Sequence, residues 1–182
     1  MGRIAVGSLA VVAAAGLSLP PSAAPSQKAP AVDLLVDASD LPVQIRKAVA
    51  GKVMVHELTL SDKYAKLHIQ DPRRKENLDE YTYRDGKVGE PTPVKLSGDY
   101  TQEDLDSYCF PLDSVDFGLV PVMIQDARQR LKMPDGKTST LTLKRGWPFN
   151  NDVRWYVGVS DARHTGMVQY DLKGRKKEMS KQ

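Results

Sequence analysis

The sequence predicts an α+β protein: two fused αβββ units forming an antiparallel sheet, with the helices packed on one face. Three observations lead there. The first is composition. A chain of 182 residues, 41% hydrophobic and 27% charged with a single Cys, has the balance of a globular protein and excludes wholly disordered, collagen-like, disulfide-stapled and polytopic membrane classes. The second is an internal repeat. The thirteen residues from Val36 to Ala48 lie on those from Val115 to Ala127 at a constant offset of 79, and Val, Asp, Pro, Val, Ile and Ala coincide at six positions, where composition alone gives about one. The third is periodicity: in each copy a helical stripe gives way to segments with strand character. One unit of about 65 residues would have a marginal core, so joining two is the expected solution.

Taken in order, residues 1–24 have the layout of a secretory signal. Arg3 precedes sixteen uncharged residues, 4–19, and Pro20-Pro21 and Ser22-Ala23-Ala24 follow, which sets cleavage after Ala24 or Ala23 and a periplasmic or secreted location. No Cys lies near the apolar run to accept a lipid. Residues 25–35 read as a flexible leader. The first unit, 36–98, opens with a helix whose stripe is Leu41, Ile45 and Ala48, with Pro42 in its first turn and Gly51 at its end. Strands follow at 53–60, 64–70 and 80–84, with Asp85-Gly86 in a tight turn.

Residues 99–114 link the units. Just before them, Pro91 and Pro93 suit an edge strand or loop. Thr101 and Asp104 have capping-box spacing and open a short helix to about Tyr108. Cys109, between Tyr108 and Phe110, is expected to be buried and unpaired. The second unit, 115–182, has the stripe Val120, Ile124, Ala127 and Leu131, then strands at 138–143, 153–160 and 167–172, a turn at Gly174, and a basic C-terminal tail. Glu57-Leu58-Thr59-Leu60 echoes Thr140-Leu141-Thr142-Leu143. Along 153–160, Val153, Trp155, Val157 and Val159 fall on one face, and Arg154, Tyr156, Gly158 and Ser160 on the other.

The second half resembles PepSY-like domains. The residues that carry the likeness are the helix 122–131, the strand Arg154-Trp155-Tyr156-Val157-Gly158-Val159, and the run from Met167 to Gly174 with its closing strand, Asp171 and Gly174. The first half lacks the Trp and the last-strand Asp. The resemblance implies an envelope or secreted binding module, in some members acting on peptidases, with no catalytic residues to carry over.

The chemistry visible in the sequence is sparse. It has no Gly-x-Ser-x-Gly elbow, no His-Glu-x-x-His, no phosphate loop and no dinucleotide fingerprint. A three-residue loop at 61–63 would set His56 opposite His68, a weak candidate metal pair with no evident third ligand. His164 falls in a predicted turn. The carboxylates at Glu103, Asp104, Asp106, Asp113 and Asp116 lack calcium-loop spacing. Trp147, Phe149 and Asn150, in a loop before the strand that carries Tyr156, form the candidate binding surface, although Trp147 also suits a cap on the core.

With 26 basic against 23 acidic residues, the net charge of +3 points to no nucleic acid, and at most to peripheral membrane contact through the basic tail. The expected function is a non-enzymatic envelope module, without cofactor, that engages a protein or peptide partner. The alternatives are a small periplasmic hydrolase or lyase with a cleft between the repeats, or a structural envelope protein held by its tail.

Overall fold

The computed structural model describes residues 32–96, 101–146 and 151–182. The signal-like segment, most of the leader, and Trp147, Phe149 and Asn150 lie outside the described residues. The described residues form an α+β fold, with three α-helices and a ten-stranded, wholly antiparallel sheet.

Helix α1 (Leu41–Ala48) precedes β1 (Met54–Ser61), β2 (Tyr64–Gln70) and β3 (Leu78–Arg84). Two short strands, β4 (Lys87–Val88) and β5 (Thr92–Pro93), flank β3. Helix α2 (Gln102–Tyr108) and β6 (Phe110–Pro111) lead to α3 (Leu119–Arg130). Then come β7 (Thr140–Arg145), β8 (Val153–Ser160), β9 (Thr165–Asp171) and β10 (Lys176–Lys181). The main path across the sheet is β10-β9-β8-β7-β1-β2-β3-β4. Helix, strand, strand, strand thus occurs twice, and the first strands of the two sets meet in the middle. There the echoing segments pair with each other: Leu58 faces Leu143, Leu60 faces Leu141, and Thr59 opposite Thr142 is the midpoint.

The helix segments share local geometry at the offset of 79. The Asp37 Oδ1 accepts the Ser39 N–H, as the Asp116 Oδ1 accepts the Gly118 N–H, both at 2.9 Å. Likewise Leu41 N–H donates to the Ala38 carbonyl, and Val120 N–H to the Phe117 carbonyl. Leu41 and Val120 are fully buried, and Ile45 and Ile124 lie beneath them in the same core. One expectation fails here. Ala48 is exposed, and Val49, just past the helix, takes the buried position. The first helix ends a turn too early for Ala48 to reach the sheet, whereas Ala127 in the longer α3 is fully buried.

The covered face carries one core running through both halves, including Val55, Leu58, Leu67, Ile69, Leu141, Leu143, Trp155, Val157, Val168 and Tyr170. Trp155, fully buried, meets Phe117 edge-on at 6.3 Å. Not all the helices share this side. Leu78 and Gln70 oppose each other on the other face of β2 and β3, and α2 packs there: Leu105 and Cys109 join Leu78 in a small separate core, and the Gln70 amide donates to Asp106 at 2.8 Å. Strand β6 then pairs with Met54 and Val55 of β1, taking the chain through the sheet layer before α3.

Residues 176–181, read from sequence as part of a tail, form edge strand β10 on β9. All six are exposed, so the strand has no buried face and leaves no apolar alternation in the sequence. Its Lys residues are a common guard against edge-to-edge association.

Candidate functional site

Among the described residues, the face of the sheet opposite α1 and α3 is covered by α2 at the Met54 and Leu78 end. Register sets its side chains in cross-strand rows. One row runs Asp171, Arg154, Lys144, Glu57, His68, Glu80 across six strands. The next runs Gln169, Tyr156, Thr142, Thr59, Lys66, Thr82. Side chains directly opposite on one face lie close enough to interact, so the first row is a charged band and the second, Lys66 apart, a hydroxyl and amide band.

At the β8 end the Arg154 side chain is buried, and its guanidinium donates to Gln169 at 3.0 Å and to Glu178 at 3.1 Å. Asp171 accepts the backbone N–H groups of Lys173 and Arg175 and the Arg175 side chain at 2.7 Å. Burial pushes the Asp171 carboxyl up, but these bonds outweigh it and hold it below the ordinary value of 3.8. The Asp-x-x-Gly run is therefore a turn lock: Gly174 N–H closes onto the Asp171 carbonyl. Tyr156, the described member of the predicted surface, sits in the middle of this half of the face with the Lys144 ammonium 5.9 Å from its ring centre.

At the β2 end, the expected register is off by one. Leu60 pairs with Ala65, not Tyr64, because the connection is a tight turn in which the Ser61 hydroxyl accepts the N–H groups of Lys63 and Tyr64. Glu57 therefore faces His68, and the register slips between Glu57 and Val55. His56 is the extra residue of a β-bulge, and it shares the position opposite His68 with Glu57. The two histidines are neighbours by this irregularity and not by regular pairing. His68 Nε2 lies 3.4 Å from Glu80 Oε2, and Lys66 donates to the same carboxylate at 3.1 Å. Burial pushes the Glu80 carboxyl up, but the bonds from Lys66 and His68 outweigh it and hold it below its ordinary value.

His56 meets the edge of Tyr108 at 6.5 Å, and its buried Nδ1 has no hydrogen-bond partner. Burial drives its pKa below the ordinary 6.5. Among the described residues no group of three or more His, Cys, Asp or Glu is placed to hold a metal ion.

His164 lies, as expected, in the β8–β9 turn, where its backbone and that of Arg163 donate to Asp161. It borders a hollow of about 630 Å³ with Met133 and Lys137. A second concavity lies between the halves, and the sequence pointed to none of its residues as site residues. A groove of about 880 Å³ lies on the helix side, at the ends of β1 and β7. Its walls are Asp33, Leu35, Val36 and Asp62 from the first half, and side chains of α3 with Pro134, Lys137, Thr138 and Ser139 from the second. No periodicity marks it, because it is made where two distant segments meet.

No family model matches this chain, and no curated protein does. Among solved structures it is similar to a protein from Clostridium difficile 630 described as a putative lipoprotein. The TM-score is 0.54 at 14% identity, over 78% of this chain and 90% of that one. At that identity the likeness is one of fold.

Proposed function

We propose that this chain is an exported, non-enzymatic binding module of the cell envelope, PepSY-like and built as a tandem pair of αβββ units, which engages a protein or peptide partner through the open face of its sheet. The observation that carries the reading is that face itself. Two cross-strand rows of polar and charged side chains, Tyr156 and Lys144 among them, stand on the sheet, and among the described residues α2 covers them at one end. Strands hold such a surface without the ordering cost a mobile loop would add. Tyr156 beside the Lys144 ammonium suits a protein surface. The secretory layout of residues 1–24 and a fold shared with a protein described as a lipoprotein support the location.

The test is capture from the envelope fraction by the immobilised full chain. A reproducible partner is expected to be held by the wild type and by Val122→Lys, on the exposed side of α3, and lost from Lys144→Glu/Tyr156→Ala. Equal capture by the sheet-face variant, or no reproducible partner, refutes the reading.

A further inference from the structure

We infer that the groove between the two halves is a second binding site, for a short peptide with a free amine and a free carboxylate. Its charges are divided by wall. The first half contributes Asp33 and Asp62, and the second contributes Arg128 and Lys137. The groove is neutral in sum and polarised across its width, which complements a zwitterion better than an anion or a cation alone.

Two polar atoms at its wall are left without partners. Thr138 is only 9% exposed, and its hydroxyl makes no hydrogen bond. Arg128 Nε is buried and likewise unpaired. Solvent does not touch either atom, so each side chain must turn toward the groove to bond a ligand; an unsatisfied buried donor costs free energy that such a bond recovers. A guanidinium and a hydroxyl lining one groove are the donor types that take a carboxylate. Between the charged walls, Leu35, Ile124 and Pro134 offer apolar contact for side chains. A volume of about 880 Å³ falls in the range of small-ligand pockets, about 300–1,000 Å³, and a tripeptide spans about 10 Å. The site lies on the helix side of the sheet and is independent of the open-face reading.

The tripeptide Leu-Ala-Leu, titrated into the full chain and followed by nuclear magnetic resonance, is expected to give saturable shifts at Arg128, Thr138 and Ser139. Amidating its carboxylate, or substituting Arg128→Gln, weakens binding about tenfold or more, since each removes a charge-assisted bond. Doing both adds little beyond either alone. Acetylating the amine matches the loss from Asp62→Asn. The peptide arms use the unaltered chain, so they stand even if a variant folds poorly. Absence of saturable shifts at Arg128 and Thr138 up to millimolar peptide overturns the assignment, as does affinity indifferent to both amidation and Arg128→Gln.

Discussion

Tyr170 on β9 donates to Asp126 of α3 at 2.8 Å, and Arg130 holds the same carboxylate at 2.6 Å. The counterpart in the first half is Tyr83, whose hydroxyl donates to Asp40 at the start of α1 at 3.0 Å. Burial, reinforced by the Asp40 carboxylate, pushes the Tyr83 phenol up to about 12. Each bond ties a helix to the third strand of its set. Tyr170→Phe is expected to lower stability by about 1.5–3 kcal/mol in urea unfolding, the usual worth of a hydrogen bond to a charged group. Cys109 is a packing residue whose thiol burial pushes up to about 12. The folded chain should therefore leave a thiol reagent unreacted at pH 8, and the urea-unfolded chain should release one equivalent. His56 adds a pH dependence. Its pKa is lowered by burial, so below 6.5 the unfolded chain takes up a proton that the folded chain refuses. The stability His56 contributes is present above that value and falls as pH drops toward its folded pKa. His56→Asn should flatten urea midpoints between pH 7 and pH 5.

The elements differ in how plainly the sequence announces them. Thr101 and Asp104 make the capping box their spacing predicts: Asp104 N–H donates to the Thr101 hydroxyl oxygen at 3.2 Å, and Asp104 accepts the Thr101 N–H at 2.8 Å. Thr101→Ala should cost about 1 kcal/mol, read as loss of amide-exchange protection in Gln102–Tyr108. Strand β8 has the alternation read from its residues, and Asp85-Gly86 turns with positive φ at both positions. These features are legible because they depend on neighbours in the chain. The side of the sheet that α2 takes was not legible, because Leu78, Leu105 and Cys109 come together only in three dimensions. The bulge at His56 was hidden for a similar reason: the turn at Ser61 and the later register of β1 set it jointly. Strand β10 lacks any buried side, so its pairing had no sequence signal. Gly166 shows how close the packing is near it. A Cβ there would lie 2.6 Å from Leu131 Cδ2, and Gly166→Ala should destabilise by about 1–3 kcal/mol through overpacking.

At the scale of the whole molecule, the central β1–β7 pair makes the two helix-and-three-strand sets one body. The main core draws Val55, Leu58 and Leu67 from the first set and Leu143, Trp155 and Val157 from the second. Neither set buries its apolar face without the other, so they should fold and unfold together. The same continuity makes the polar rows of the open face span six strands. The groove, too, needs a wall from each set, so splitting them would abolish both candidate surfaces. The most direct measurement is equilibrium urea unfolding followed residue by residue by amide exchange in β2, β1, β7 and β8. A shared core predicts the same free energy of opening for the most protected amides of Leu67, Leu58, Leu143 and Val157. Separate values for β2 and β8, with one set opening while the other stays protected, would contradict it.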